Sequence, residues 1–443
     1  MNRIKRMKGI MAGLCLVWTW GLWAQEKQWS LEECIGYAIE HNPQHAKQEA
    51  QNEVYRINRR EAIGGFFPSL NAGTGVSMNF GRGVDPETNT YISNNTFSNA
   101  YEIYSSLTLF DGFAQVYRAK MTKIYRLMGY EELQALKDKT RFEVMELFFN
   151  VLYYKGSVRL AEQQLDESVR NLKKFRRMEE LGLTSVPDLA EIEAKEAEDR
   201  FLLTRQTNLY HLECIRLKEK MNLPIEEAFT IADYEPTPLI RAEADTALTI
   251  YQTALATLPT VQASARSLSA IEMEYRIARS RLYPTLSLSA GFSTGFSRMM
   301  DGSPYMSFWE QLKMREGTYV GANLSIPLFN GLSRTSEVQR SRQRILIARH
   351  QHEETLRQVY SEIEQAVTDV NGLADEYRHA QQRTLAMQSA HRMNLRKYEE
   401  GLIDAIALTT SSNRLLTSRV EELYTRLKYQ LKFNLLNYYK EFR

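Results

Sequence analysis

Few side chains in this sequence have the type and spacing that chemistry requires. His350 and His352 are two residues apart, which places them on different faces of a helix and prevents them from binding one metal ion together. Cys34 and Cys214 are the cysteines that follow the first 24 residues, so their number excludes a framework of disulfides. No glycine-rich phosphate loop, zinc-binding spacing or nucleophile elbow occurs. We therefore expect no catalytic residue, no cofactor and no metal.

The first 24 residues have the layout of a secretory signal peptide. Four basic residues precede an apolar stretch, residues 9–23, that is too short to span a bilayer, and Ala24 supplies a small residue for cleavage. The whole chain has 56 Lys and Arg and 54 Asp and Glu, so removal of these four basic residues leaves slightly more acidic than basic residues. The net charge therefore does not indicate nucleic acid as a partner. No later run of about 18 apolar residues occurs, so a membrane-inserted form has to use strands.

The chain repeats its own plan. The stretch AIGGFFPSL, which begins at Ala62, recurs as ARSRLYPTL 216 residues later, and SLTLFDG, which begins at Ser106, recurs as SIPLFNG 219 residues later. Two halves of similar length therefore share one order of elements. We divide the chain into a signal peptide (1–24), a first structural repeat (25–232), a linker (233–246) and a second structural repeat (247–443).

Within each repeat a helix leads into an alternating strand, a turn-rich loop leads to a second strand, and a long helical hairpin follows. A helical tract of about 68 residues is on the order of 100 Å long, and its apolar positions recur every three or four residues, as in a seam between long helices. The predicted strands lie near 68–80, 99–110, 284–296 and 318–329, the loops cover 81–97 and 297–317, and the hairpins cover 113–221 and 332–440.

The four predicted strands alternate between an apolar face and a face of small and polar residues. The second face carries Asn71, Asn79, Glu102 and Asn323 among serines and glycines. Soluble sandwiches show the same alternation, so the pattern alone does not indicate a membrane. These strands are longer than most soluble strands, however, and aromatic residues gather at both ends, as in strands that cross a bilayer at a tilt. We therefore predict that the polar residues face a lumen.

Four strands are too few to close a barrel. Open sheet edges in hydrocarbon leave backbone groups unpaired, and the smallest membrane barrels have about eight strands. Several copies of this chain must therefore pool their strands. Two copies give a barrel of about eight strands that side chains fill, and three give one of about twelve that holds a water-filled lumen.

With these features in order, the chain resembles the TolC-like outer-membrane efflux protein family over essentially its whole mature length. The resemblance implies a mainly α fold with transmembrane β structure: a homotrimer whose 12-stranded β-barrel, four strands per protomer, continues into a long periplasmic α-helical barrel. The motifs that carry the resemblance are FPSL (67–70), YPTL (283–286), TLFDG (108–112), PLFNG (327–331), ELGL (180–183) and YEEGLID (398–404).

The resemblance also implies a function. It indicates the exit duct of a tripartite efflux or type I secretion system, located in the outer membrane of a Gram-negative bacterium with a large periplasmic portion, and not an enzyme. The implied partners are two further copies, outer-membrane lipid, a periplasmic adaptor protein and, indirectly, an inner-membrane transporter of the RND or ABC type.

Specific residues receive roles from the same resemblance. For the periplasmic constriction, Asp188 matches a family carboxylate. Ala407 and Thr410 stand where family members carry Asp, so the carboxylate rings are reduced or moved to Asp404. Rings of carboxylates favour cations. Stabilisation of a helix start is the alternative role of Asp188 and Asp404. The hairpin tips that dock an adaptor would include Gly182, Leu183, Gly401 and Leu402.

A second function is compatible with part of the sequence. A periplasmic coiled-coil adaptor or scaffold protein, without a membrane pore, also combines helical hairpins with a β domain. Such a soluble protein would carry charged residues on both faces of its sheet. One face of all four predicted strands is nearly free of charge, which favours the duct.

Overall fold

The structure is a computed structural model. It describes residues 28–84, 89–93, 95–224, 226–234, 243–300 and 304–441. The predicted signal peptide (1–24) and residues 235–242 of the predicted linker lie outside the described residues.

The two halves of the chain share one order of long elements: a broken helix, two long strands and a helical hairpin. The first half contains β1 (Gln28–Trp29), α1 (Leu31–His41), α2 (Pro43–Gly64), β2 (Ser69–Asn79), β3 (Arg82–Val84), β4 (Tyr91–Ser93), β5 (Thr96–Phe110), α3 (Ala114–Glu180), α4 (Val186–Met221) and β6 (Thr230–Ile231). The second half contains α5 (Ala247–Thr257), α6 (Pro259–Ser280), β7 (Thr285–Met299), α7 (Phe308–Met314), β8 (Gly317–Ser325), α8 (Ser333–Glu399) and α9 (Ala405–Glu441).

The helix predicted at the start of each half is two helices. Pro43 is the first residue of α2 and Pro259 the first residue of α6, where proline fits because this position needs no N–H donor. The residue before each proline has an extended backbone, since the proline ring disfavours the helical conformation there. At the first break the Asn42 side chain caps α2 by accepting a 2.9 Å hydrogen bond from Gln44 N.

The long strands form one antiparallel sheet in the order β2-β5-β7-β8. The fourth strand ends at Ser325, so the predicted range 318–329 was too long at its end. Pro327 explains the difference, because it has no N–H to donate to a ladder and restricts the residue before it. The register slips by one residue between Thr108 and Phe110, which is a bulge just before β5 ends.

The loop predicted at 297–317 contains the short helix α7. Its N-terminus is a capping box, in which the Ser307 Oγ accepts from Glu310 N at 3.4 Å and the Glu310 Oε2 accepts from Ser307 N at 3.0 Å. The sequence does carry this signature, a serine followed three residues later by glutamate. We missed it because the neighbouring glycine and proline residues favour a loop.

The long helices pack as two hairpins, α3 against α4 and α8 against α9. Each hairpin has its own apolar cluster, around Phe148, Val151 and Leu217 in the first and around Ile363 and Tyr429 in the second. A short parallel pair, β1 with β6, closes the first cluster. No helix of the described residues is sufficiently long and apolar to cross a membrane.

Candidate functional site

The sheet register assigns every strand residue to one of two faces. Residues directly opposite each other, and residues two apart on one strand, share a face. Glu102 lies opposite Gly73 and Ser293, so these three residues share a face. Every second residue counted from them along each strand lies on the same face. All four residues that we predicted to face a lumen therefore lie on one face: Asn71, Asn79, Glu102 and Asn323.

This polar face carries little charge and little bulk. Serine and glycine occupy most of its positions, and Glu102 is the one carboxylate on this face of the described strands β2, β5, β7 and β8. Tyr104 and Tyr319 lie opposite Gly291, on either side of it. A Cβ on Gly291 would lie 2.4 Å from the ring of Tyr319, so glycine there leaves room for the aromatic ring.

The opposite face is apolar and, apart from the part where Phe308 of α7 packs on Tyr101 and Phe296, uncovered in the protomer. Leu70 is 75% exposed, Val320 is 77% exposed and Leu324 is 58% exposed, although all three belong to regular strands. Exposed apolar patches of this extent mark a surface that contacts lipid or another protein. Arg298 shares this face but lies at the far end of β7, where its guanidinium stands 5.9 Å from the Phe97 ring centroid.

The sheet also has two open edges. β2 and β8 stand at its ends, and each has hydrogen-bonded neighbours on one side only within the described protomer. Unpaired strand edges are a liability that proteins cover, shorten or pair. In hydrocarbon each unpaired backbone group costs several kcal/mol, so edges like these are tolerated only when other strands complete the sheet.

The two hairpin tips are built in the same way. Gly182 and Gly401 have φ angles of +70° and +71°, the left-handed conformation that glycine adopts without a steric penalty. Leu183 N donates to Met178 O and Leu402 N donates to Lys397 O, both at 2.8 Å, so each long helix ends in a Schellman motif. The motif leaves Leu183 68% exposed and Leu402 66% exposed. Their predicted role in docking a partner remains a prediction.

Asp188 and Asp404 begin the helices that follow the tips. Ser185 Oγ donates to Asp188 Oδ2 at 2.6 Å, and Asp404 Oδ1 accepts from Ala407 N at 2.8 Å. Each carboxylate therefore occupies a helix start, where the helix dipole favours negative charge. These contacts fit the structural role we had weighed, and they leave a role in a constriction as a prediction.

Tyr398, whose role the sequence does not mark, is buried near these two carboxylates. Its hydroxyl lies 3.4 Å from Thr184 Oγ1, and its ring packs against Phe175 with centroids 4.7 Å apart. Burial, and after it the nearby carboxylates of Asp188 and Asp404, raise the pKa of Tyr398. The structure thus brings both predicted constriction residues close to one buried tyrosine, where all four long helices meet.

A layer of buried polar residues lies above this point. Lys195 Nζ and Asp199 Oδ1 are 2.5 Å apart, with the two side chains 8% and 1% exposed. Gln164 Nε2 donates to Asp199 at 3.2 Å and to Ser412 Oγ at 2.7 Å, which links α3 to α4 and α9. Asp199 also accepts a hydrogen bond from Ser168. Sequence analysis missed this layer because charged residues are frequent along these helices and nothing local marks a buried one.

A histidine links the two hairpins in the same layer. His391 of α8 lies 2.9 Å from Glu167 of α3 through Nε2 and 2.8 Å from Ser411 of α9 through Nδ1. The hydrogen bond from His391 is the main reason that the pKa of Glu167 lies below its usual range, against the opposing effect of burial. His391 is buried, so it contributes to packing between elements distant in sequence.

The remaining candidate residues have ordinary structural contacts. His352 Nδ1 lies 2.7 Å from Ser264 Oγ, and His350 Nδ1 lies 3.3 Å from Glu353 Oε2. Cys34 and Cys214 are buried, and neither is part of a disulfide. Within the described part of the chain, no three His, Cys, Asp or Glu side chains are arranged to bind a metal ion.

Comparison with known proteins identifies this architecture. The model of the outer membrane efflux protein family matches residues 250–437. The whole fold is similar to that of CusC, a transmembrane channel, with a TM-score of 0.81, 14% identity and coverage of 92% of this chain and 91% of CusC. It is also similar to the outer membrane protein VceC of Vibrio cholerae, with a TM-score of 0.80, 14% identity and coverage of 92% and 95%.

The second half of the chain thus matches the outer membrane efflux protein family. A curated relative, the pyoverdine export outer membrane protein OpmQ of Pseudomonas aeruginosa, is 22% identical over 286 residues. That match covers 64% of this chain and 57% of OpmQ, so the chain spans little more than half the length of this relative. The TolC-like resemblance and the predicted fold class are confirmed, and both the family and the fold are those of channel and transport proteins.

Proposed function

We propose that this chain is the outer-membrane exit duct of a tripartite efflux or type I secretion system. Three copies combine their sheets into a 12-stranded barrel, and their helical hairpins form a tunnel through the periplasm. Substrate moves through the lumen passively, so no step needs a catalytic residue or a cofactor.

The observation that carries the proposal is a four-stranded sheet with two open edges and one largely uncovered apolar face. In a closed trimer inserted in a membrane, lipid covers the apolar face of each sheet. The open edges of neighbouring sheets pair with each other, so no backbone group at an edge is left unpaired. A soluble monomer leaves both features exposed to water, where they promote aggregation.

The predicted site residues fit positions in this duct. The face that carries Asn71, Asn79, Glu102 and Asn323 lines the lumen. Symmetry turns each of Asp188 and Asp404 into a ring of three at the periplasmic end, where the carboxylates favour cations. The exposed tips at Gly182, Leu183, Gly401 and Leu402 contact a periplasmic adaptor, which connects the duct to an inner-membrane transporter of the RND or ABC type.

The alternative of a periplasmic adaptor or scaffold without a pore is not favoured. A soluble scaffold would have to expose Leu70, Val320 and Leu324 to water on one continuous face. The family and the similar structures are those of outer-membrane channels.

Two arginine substitutions on one strand test the proposal. Val320 and Asn323 lie on opposite faces of β8, Val320 on the apolar face and Asn323 on the polar face. We expect Val320→Arg to destabilise the membrane-inserted trimer by up to about 2–4 kcal/mol, according to its depth, because the arginine enters lipid. We expect Asn323→Arg to assemble normally, because a lumen accepts charge.

The measurement is the yield of detergent-extracted oligomer that migrates as a trimer unboiled and as a monomer after boiling. Wild-type protein reconstituted into planar bilayers should also form pores. Equal tolerance of both substitutions, or recovery of wild-type protein as a soluble monomer, would contradict the proposal.

A further inference from the structure

A cavity lies where the strands meet the long helices. Its volume is about 340 Å³, and its lining includes Phe110, Phe113, Tyr117, Arg276, Arg279 and Tyr283. The backbone there is tightly packed: Gly112 has a φ of +67°, and a Cβ on it would lie 2.5 Å from Ser280 O. The end of α6 therefore packs closely against the turn between β5 and α3.

Two guanidinium groups line this cavity without acidic partners. Arg276 and Arg279 are one turn apart on α6, so their side chains lie on the same helix face. The Arg276 guanidinium stands 5.8 Å from the ring centroid of Tyr117, and that of Arg279 stands 5.9 Å from the ring centroid of Tyr275. No carboxylate of the described residues forms an ion pair with either arginine. Their N–H donors are available for an anion, which guanidinium groups bind in a paired geometry.

The lining of the cavity includes Phe110, a residue of the apolar face of the sheet. Phe110 lies opposite Leu286, and Leu286 lies opposite Leu324, which belongs to the apolar face. The Phe110 ring continues this face downward and packs edge-on against Phe113 with centroids 5.4 Å apart. A ligand in the cavity would therefore lie on the lipid side of the protein, away from the lumen.

The level of the cavity along the molecule is that of a membrane interface. Phe110 is the last residue of β5, and Tyr283 stands two residues before β7 begins. Aromatic residues at the ends of membrane strands mark the depth of the lipid headgroups. The acyl chains would begin beside Phe110, and the phosphate would lie beside the arginines.

Positive charge is concentrated in this zone. The helix segments next to the strands, residues 53–64, 111–125, 269–283 and 333–344, together contain 13 Lys and Arg against six Asp and Glu. The rest of the chain has more acidic than basic residues. A local excess of basic residues beside a membrane attracts anionic lipid.

We propose that this cavity binds the phosphate-bearing headgroup of an anionic phospholipid from the membrane leaflet that faces the helices. Arg276 and Arg279 bind the phosphate, and Phe110, Phe113 and Tyr283 contact the glycerol and the first carbons of the acyl chains. The inference rests on the proposed function, since it requires the strands to span a membrane. The aromatic walls distinguish a lipid from free phosphate, which has no apolar part to bury.

The test is native mass spectrometry of the purified oligomer with added phosphatidylglycerol. Wild type should retain up to three lipids per trimer. The Arg276→Gln/Arg279→Gln variant should bind phosphatidylglycerol about tenfold or more weakly, because charge-assisted hydrogen bonds are lost. The matched control is Arg357→Gln/Arg378→Gln, which removes two exposed arginines farther along α8 and should bind like wild type. If the double variant does not assemble, Arg276→Gln and Arg279→Gln as single variants should each weaken binding several-fold.

Two further measurements distinguish binding of a lipid from binding of free phosphate. Phosphatidylcholine, whose headgroup has no net charge, should bind more weakly than phosphatidylglycerol, and inorganic phosphate should not compete with the lipid. Equal binding of phosphatidylcholine, competition by phosphate, or wild-type affinity in the arginine variants would each overturn the inference. Failure of the duct itself would be seen separately, as a wild-type protein that forms neither trimers nor pores.

Discussion

At the scale of single residues, the polar layer near the hairpin tips contains two charged side chains whose burial costs free energy. Lys195 and Asp199 are taken almost entirely out of water. Lys195 pairs with Asp199 and, at 3.7 Å, with Glu198, whereas Asp199 also accepts a hydrogen bond from Gln164. Desolvation of two charges costs several kcal/mol, and only close, well-paired geometry offsets it. Such a layer restricts how the hairpins fit together, because another register would remove the hydrogen bonds that Gln164 and Ser168 of α3 donate to the buried Asp199.

The buried pair predicts a large and unequal effect of two similar substitutions. Asp199→Ala should lower the free energy of unfolding by up to about 3–5 kcal/mol, because it leaves the buried Lys195 with only its longer contact to Glu198, at 3.7 Å. Asp166→Ala breaks an exposed pair of the same i, i+4 spacing with Arg170, whose side chains are 65% and 69% exposed, and should change stability by less than about 1 kcal/mol. Thermal denaturation of the two purified variants measures the difference. Equal midpoints would show that the Lys195–Asp199 pair contributes little.

The Glu167–His391 contact predicts a response to acid. Because the pKa of Glu167 is lowered in the folded protein, its contribution to stability is complete above the usual pKa of glutamate, about 4.3, and is lost as the pH falls through the lowered value. Glu167→Gln should therefore be less stable than wild type at pH 7, and the gap should narrow below about pH 4. Melting temperatures between pH 3 and 7 measure this gap. A gap of constant size at all pH values would show that Glu167 titrates normally.

At the scale of elements, α7 protects a strand edge. β8 pairs with β7 only as far as Ser293, so the end of β7 has no strand on that side in the described protomer. α7 covers this edge: Ser297 N donates to Gln311 Oε1 at 3.0 Å, and Thr294 Oγ1 donates to Leu312 O at 2.6 Å. Covering an edge with a helix is a known means of preventing unwanted strand pairing.

The tip turns predict that one substitution has opposite effects at two glycines. Gly401→Ala should destabilise the protein by about 1–2 kcal/mol, because alanine is strained at a φ of +71°. Gly372 lies within α8, where a new Cβ would meet no atom within 4 Å, so Gly372→Ala should stabilise by about 0.5–1 kcal/mol. Thermal denaturation of both variants gives the two signs. A destabilised Gly372→Ala would indicate that a neighbouring protomer packs against that position.

At the scale of the whole molecule, duplication within the chain and symmetry in the proposed trimer explain how a few polar residues per chain can line a lumen. Each half supplies two strands and one hairpin, and the two halves join side by side through the β5 and β7 strands. In the proposed trimer three copies surround the lumen, so a single polar-face residue becomes a ring of three. Glu102, the one carboxylate on the described polar face, is the residue most affected by this multiplication.

The ring of Glu102 predicts a change in ion selectivity. Glu102→Gln should reduce the preference of the pore for cations in planar bilayers, measured as a shift of the reversal potential under a salt gradient. The shift should be clear near 0.1 M salt, where the Debye length is about 10 Å, and small near 1 M, where it is about 3 Å. Asn71→Gln is the control, since it changes the same face without changing charge. An unchanged reversal potential at low salt would place Glu102 outside the conducting path.

Much of the architecture follows from the sequence because it depends on local patterns. Alternation marked four long strands, the absence of proline and the scarcity of glycine marked α3 and α8, and Gly182 and Gly401 marked the turns. The repeated motifs established the duplication, since copies of one segment fold alike. The errors lie where local signals compete: Pro43 and Pro259 split the first helices, Pro327 shortened β8, and glycines concealed α7.

Only the tertiary structure decided which residues meet across elements. The contacts of Lys195 with Asp199 lie within one helix, but their burial, and the approach of Gln164, His391 and Tyr398, depend on how the hairpins pack. The register of the strands, the covering of β7 by α7, and the cavity beside Arg276 are likewise invisible in the chain. Their cause is physical: burial and pairing depend on distances between segments far apart in sequence, which no local periodicity encodes.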